Sequence, residues 1–148
     1  GLATDPRYNH YAYFKKFLKR FNLKLTNFHA HPICFGNQQT VSDRALLIGD
    51  AAAQVKPFSG GGIIYSMICA DIAAKAISSA FDKNDFTKQF LKKHYEDKWK
   101  QKLMPKIELG LGIRNILNSL NDRELDTFFE MLKDQKKQIE SLGDMDFL

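Results

Sequence analysis

The sequence predicts an α+β chain that is mostly helical, with about 60% of its residues in helices against a usual third. Two observations carry that expectation. Apolar residues recur at helical spacing through most of the 148 residues, while a single unbroken apolar run, Ala45-Leu46-Leu47-Ile48, has the length and flanking turn signals of a strand covered on both faces. A glycine triplet, Gly60-Gly61-Gly62, separates that run from a long segment of apolar and small residues, so the order reads turn, strand, loop, helix.

Each element follows from its residues. Tyr8 to Phe21 carries Tyr11, Phe14, Phe17, Leu18 and Phe21 on one face and Lys15, Lys16, Lys19 and Arg20 on the other, an amphipathic helix. Aromatics at that spacing read first as core, and five on a short helix also suit the wall of a lipid tunnel. Leu25 to Phe35 favours extended structure, which Pro32 confines to an edge or an irregular strand. Ser42-Asp43-Arg44 is a turn signal, and Gly49-Asp50 ends the apolar run, so Asp50 projects a carboxylate where open α/β sheets usually bind ligands. Ile63 to Phe81 is apolar or small on nearly every face and reads as a buried helix. The preceding glycines leave its first amides open to an anionic or carbonyl-rich ligand.

Beyond it, Asn84 or Asp85 is expected to cap a helix with Phe86, Phe90, Leu91, Tyr95 and Trp99 as its stripe. Pro105 is expected to start the next one, weakened by Gly110 and Gly112. Asn121 and Glu124 form a capping-box pattern before Leu125, Phe128, Phe129, Leu132 and Ile139, with a frayed tail from Ser141.

Composition narrows the function classes. The net charge is +5 and concentrates between Lys83 and Lys102, where lysines 83, 88, 92, 93, 98, 100 and 102 face only Asp85, Glu96 and Asp97. The segment lacks the arginine-rich or aromatic-interleaved pattern of nucleic-acid binding, so no nucleic-acid partner is expected. A solvated helix face is the default, and contact with an anionic membrane surface is the other candidate. Cys34 and Cys69 read as reduced core thiols, and the absence of a cysteine cluster argues against iron-sulfur ligation. His29 and His31 alternate onto one strand face without a third ligand, so no metal site is expected. No nucleophilic triad can be argued from spacing. No unbroken apolar span of membrane length occurs, since Asp71 and Lys75 interrupt the nearest, and a cytoplasmic location is expected.

Arg44-Ala-Leu-Leu-Ile-Gly-Asp50-Ala-Ala, then Pro57, then Gly60-Gly-Gly62-Ile63 resembles the second flavin motif of FAD enzymes built like para-hydroxybenzoate hydroxylase. The Pro-Phe-Ser-Gly-Gly-Gly-Ile form with its Ala-rich helix is most similar to the geranylgeranyl reductase family. The resemblance implies the C-terminal part of an FAD-binding α/β fold, of the second glutathione reductase-like subgroup, followed by a C-terminal helical region. It further implies FAD as cofactor and NAD(P)H or another reductant as electron source. It assigns Asp50 to the ribityl chain, Gly61, Gly62 and Ile63 to amide contacts near the pyrimidine ring, and Pro57 to the flank of the ring system, with Gly49 also among the cofactor-binding residues. The implied reaction saturates isoprenoid double bonds of a lipid or pigment. The implied domains are a substrate-domain remnant at 1–25, the C-terminal part of the FAD domain at 26–82, and a helical domain at 83–148.

The chain begins at Gly1 and contains no G-x-G-x-x-G after an early strand, so a C-terminal fragment that binds FAD weakly by itself is expected. Two other flavoenzyme types share the Gly-Asp motif: aromatic hydroxylases or halogenases, and quinone-linked dehydrogenases, which would normally bring cluster cysteines. A non-enzymatic basic helical interaction module would account for the lysines and leave Gly49-Asp50 and the glycine triplet unexplained.

Overall fold

The computed structural model describes residues 2–5 and 7–133. The chain divides into two compact units, Gly1–Pro32 and Ile33–Leu148. Ile139 and the tail from Ser141, which the sequence assigns to a last helix and its fraying end, lie outside the described residues.

In the first unit, helix α1 spans His10–Arg20. Asn9 caps it by accepting from the Ala12 amide at 3.0 Å. Its end is closed by Asn22 in the left-handed region, with the Leu23 amide reaching back to the Leu18 carbonyl, the geometry that asparagine tolerates better than most residues. No α1 residue is buried. Its aromatics instead cluster with Phe28: Tyr11 and Phe14 lie 5.2 and 5.8 Å from that ring, and Phe17 continues the row to Phe21. Residues 25–35 form no strand. His29, His31 and Cys34 are exposed, so Cys34 is a surface thiol rather than the core thiol expected of it.

The second unit is mostly helical around a minimal sheet. Strands β1 (Val41–Ser42) and β2 (Ala45–Leu46) pair antiparallel, Val41 opposite Leu46. The expected strand covered on both faces is therefore corrected. Leu47 and Ile48 are 45% and 36% exposed, because among the described residues only Val41–Ser42 offers an edge for β2 to pair with. The hairpin tip is anchored elsewhere: the Arg44 amide donates to the Phe86 carbonyl, and Asp43 accepts from the Lys88 amide.

Helix α2 spans Ile63–Lys83 and ends at a left-handed Asn84 in the same manner as α1. Only one stripe of it is buried, Tyr65, Cys69, Ala73, Ala76 and Ala80. The expectation of an all-round buried helix fails at Ile63, Met67 and Phe81, which are 78%, 65% and 70% exposed. By length and composition alone α2 is apolar enough to cross a membrane; here its small-residue stripe packs into the common core, and Asp71 and Lys75 pair on its open side at 2.7 Å.

A second rod comprises α3 (Lys88–Leu91), a π turn (Lys92–Glu96) and α4 (Asp97–Ser119). Its cap is Thr87, which accepts from the Phe90 amide at 3.2 Å and donates to Asp85; the expected caps Asn84 and Asp85 close α2 and hold Thr87 instead. Pro105 lies inside α4 rather than starting a helix. An interior proline costs about 3 kcal/mol. That cost is offset by the residues flanking it, since Trp99, Leu103 and Ile107 are essentially fully buried and each such side chain contributes about 1.5–3 kcal/mol. Helix α5 (Asp122–Lys133) starts with the reciprocal capping box expected of Asn121 and Glu124, at 2.8 and 3.0 Å.

Candidate functional site

The site is built where β2 runs out. After Ile48 the chain tightens into a 3₁₀ turn, Gly49–Ala52, closed by Ala53 in the left-handed region. Gly49 is buried, has φ +72°, and a Cβ there would come within 3.2 Å of Ser66 Oγ, so both conformation and space select glycine. Asp50 is exposed, and its carboxylate turns toward the start of α2. A Cβ on Gly62 would stand 2.9 Å from Asp50 Oδ1 and 2.9 Å from Val55 Cγ1. Gly62 has φ −119°, open to any residue, so what it supplies is room for Asp50 to lie against the helix end.

Gly62 is the N-cap of α2 and no side chain caps it. The first amides of an α-helix have no partner within the helix and carry the positive end of its dipole. Gly61 and Ile63 beside it are exposed, and the Gly61 amide leans on Ser59 Oγ at 3.3 Å. A carboxylate acceptor and the uncapped first amides of α2 thus lie side by side. In the same turn, the Tyr65 hydroxyl is the one buried side-chain polar atom without a hydrogen-bond partner among the described residues, and burial raises its pKa. A glycine cradle, uncapped amides and a carboxylate fit a ligand that presents both hydroxyls and carbonyls, as a flavin does.

Pro57 is placed differently. It is fully buried and packs on α4. A Cβ at Gly110 would meet its ring at 3.1 Å, and Arg114 donates to its carbonyl at 2.8 Å while lying over Phe35 at 4.9 Å. The Lys56 amide bonds the Gly61 carbonyl at 2.9 Å, tying that loop to the glycine triplet.

Two buried networks start from the π turn, and the first holds the site from behind. Gln54 accepts from the Gly49 amide and donates to the Tyr95 hydroxyl, each at 2.8 Å, and Tyr95 donates to the Leu47 carbonyl at 2.5 Å. Burial pushes the Tyr95 phenol up to about 12, with the Gln54 bond acting against it. Beside it, Glu96 accepts from the Thr40 amide and hydroxyl and pairs with Lys100 at 3.3 Å, while Trp99 donates to the Thr40 hydroxyl at 3.0 Å. Burial works to raise the Glu96 pKa, and the Thr40 bonds and Lys100 outweigh it, so the net shift is downward. The sequence marks Tyr95 as core and Gly110 as a weak point of its helix, but not their contacts with Gln54 and Pro57; Gln54 and Arg114 escape it, Gln54 leaving a trace as a long polar residue inside Ala51-Ala-Ala-Gln-Val55.

Among the described residues no group of three or more potential ligands could hold a metal ion. Cys69 is fully buried, and burial pushes its thiol up to about 12, so it is inert packing.

No protein-family model matches the chain, and no solved structure matches it. Among curated proteins it is 33% identical over 139 residues to digeranylgeranylglycerophospholipid reductase 2 of Methanothermobacter thermautotrophicus, covering 93% of this chain and 35% of that protein. It is 39% identical over 101 residues to digeranylgeranylglycerophospholipid reductase of Methanocaldococcus jannaschii, covering 68% of this chain and 26% of that protein. A reductase of that name from Methanopyrus kandleri matches at 34% over 101 residues, 68% of this chain and 25% of that protein. The chain spans about a quarter to a third of the length of these relatives. Over the stretch it spans, the chain belongs to the geranylgeranyl reductase family.

Proposed function

We propose that this chain contributes the flavin-contacting turn and helix of an FAD-dependent reductase that saturates the double bonds of geranylgeranyl chains on a glycerophospholipid or pigment, with NAD(P)H or another reductant as electron source. The observation that carries the reading is Asp50 lying against Gly62 at the uncapped start of α2. Asp50 would accept from a ribityl hydroxyl. Gly61, Gly62 and Ile63 would turn their amides to the pyrimidine edge, where the helix dipole stabilises negative charge. Pro57, held by Gly110 and Arg114, would fix the loop that flanks the ring, and Gly49 would allow the turn that aims Asp50. When bound, reduced flavin supplies the hydride for the alkene; the chain's own share is to hold and orient the cofactor and exclude water. On this reading residues 1–25 belong to the substrate domain, 26–82 to the flavin domain and 83–148 to a helical region.

The test is Asp50→Ala in the full-length protein. Losing one charge-assisted hydrogen bond of about 1.5–3 kcal/mol should weaken FAD binding roughly tenfold to a hundredfold. Flavin titration that gives an unchanged dissociation constant returns Asp50 to a simple turn role.

A further inference from the structure

We propose that Gln54 and Tyr95 are positioning residues for the cofactor, holding the Gly49–Asp50 turn in its binding shape from the π turn of the helical rod. The inference rests on the reading of Asp50 as a flavin ligand and adds residues some forty positions apart in sequence that the flavin motif does not contain. Three points of the turn are fixed by one chain of bonds. The Leu47 carbonyl before it and the Gly49 amide within it are both spoken for, and Gln54, just after it, joins them through Tyr95.

Gln54 and Tyr95 have no exposed surface and Gly49 is buried, so water cannot take over the bonds among these three, and losing one partner strands another polar group; the Leu47 end of the chain is more open. The turn needs such a hold. Gly49 and Ala53 both carry positive φ, a region that alanine enters only at a cost, so the bonds around it keep a backbone that would otherwise relax.

The π turn explains how one helix reaches both networks. The Asp97 amide bonds the Lys92 carbonyl five residues back, which widens the helix locally. Adjacent Tyr95 and Glu96 thereby both face inward, Tyr95 to the cofactor turn and Glu96 to Thr40. The side-chain bonds of Thr40, to Glu96 and Trp99, involve neither Gly49 nor Gln54, and the Thr40 carbonyl that accepts from the Leu47 amide at 2.8 Å is kept when the hydroxyl alone is removed, so Thr40→Val is a control for stability.

The experiment is a double-mutant cycle in the full-length protein, read by FAD titration, the visible spectrum of bound flavin, and thermal unfolding of the apoprotein. Tyr95→Phe removes one hydroxyl and keeps the ring; Gln54→Met is the second, independent variant. Each should weaken FAD binding about fivefold or more and shift the flavin spectrum. In an Asp50→Ala background the same changes should have little further effect on affinity, since they act through Asp50. Thr40→Val should lower the melting temperature comparably and leave flavin affinity within about twofold. The proposal is overturned if Tyr95→Phe and Gln54→Met bind FAD as the parent does, if their effects persist undiminished without Asp50, or if Thr40→Val weakens binding equally. If Asp50→Ala itself leaves affinity unchanged, the flavin reading falls and this inference falls with it.

Discussion

Gly62→Ala tests the closest approach in the site. The added methyl would stand 2.9 Å from both Asp50 Oδ1 and Val55 Cγ1, about 0.6 Å or more inside ordinary contact between nonbonded heavy atoms. The two neighbours differ in how they can yield. Asp50 is exposed and can swing its carboxylate away; Val55 is fully buried and its branched side chain has few rotamers to choose from. Overpacking of this kind costs about 1–3 kcal/mol. Because Gly62 already has a φ that alanine accepts, backbone strain adds nothing, and the whole effect reports on space. Equilibrium urea denaturation of the chain should show an unfolding free energy lowered by that amount, seen as a lower midpoint at unchanged slope. FAD titration of the full-length variant should show weakened binding, because displacing Asp50 removes the acceptor from the helix end. A stability within about 0.3 kcal/mol of the parent together with unchanged flavin affinity would refute the close packing of Asp50, Val55 and Gly62.

Glu96→Gln should destabilise the chain by about 1–3 kcal/mol at neutral pH, since it takes the charge from a carboxylate serving Thr40 and Lys100. The Glu96 pKa is depressed in the fold from an ordinary 4.5, so its contribution is present above that value and lost as pH falls through the lower folded value. The parent's advantage over the variant in urea midpoints should therefore shrink below about pH 4.5, and an advantage constant down to pH 3 would contradict it. Membrane contact is the remaining prediction. Lys92 and Lys100 are engaged with Asp97 and Glu96 and Lys88 donates to Gln39, which leaves Lys83, Lys93, Lys98 and Lys102 as exposed charges. Replacing those four by glutamine in the full-length protein should reduce sedimentation with anionic vesicles at low salt by tenfold or more, at about 1 kcal/mol per lysine near the surface. Equal sedimentation of parent and variant with anionic and neutral vesicles would leave these lysines as a solvated face.

What the sequence determined by itself is what local chemistry determines. Asn9, Asn22 and the Asn121/Glu124 box begin and end helices through bonds within a few residues, and the stripe of Phe90, Leu91, Tyr95 and Trp99 names the core. The turn at Gly49-Asp50 and the helix behind the glycine triplet were legible for the same reason: glycine's backbone freedom and an apolar run announce themselves without any knowledge of partners. Tertiary structure decided the rest. Whether Leu47 and Ile48 are covered depends on which strands pair with them, and whether Met67 and Phe81 are buried depends on what lies against the far side of α2, neither of which periodicity records. Pro105 stays helical because Trp99, Leu103 and Ile107 are packed on either side of it, a long-range gain that overrides a local penalty. The hold on the candidate site belongs here too. Gln54 meets Tyr95, and Pro57 meets Gly110 and Arg114, across separations of 41 and more than 50 residues; hydrogen bonds and contacts at that range exist only once the chain has closed on itself.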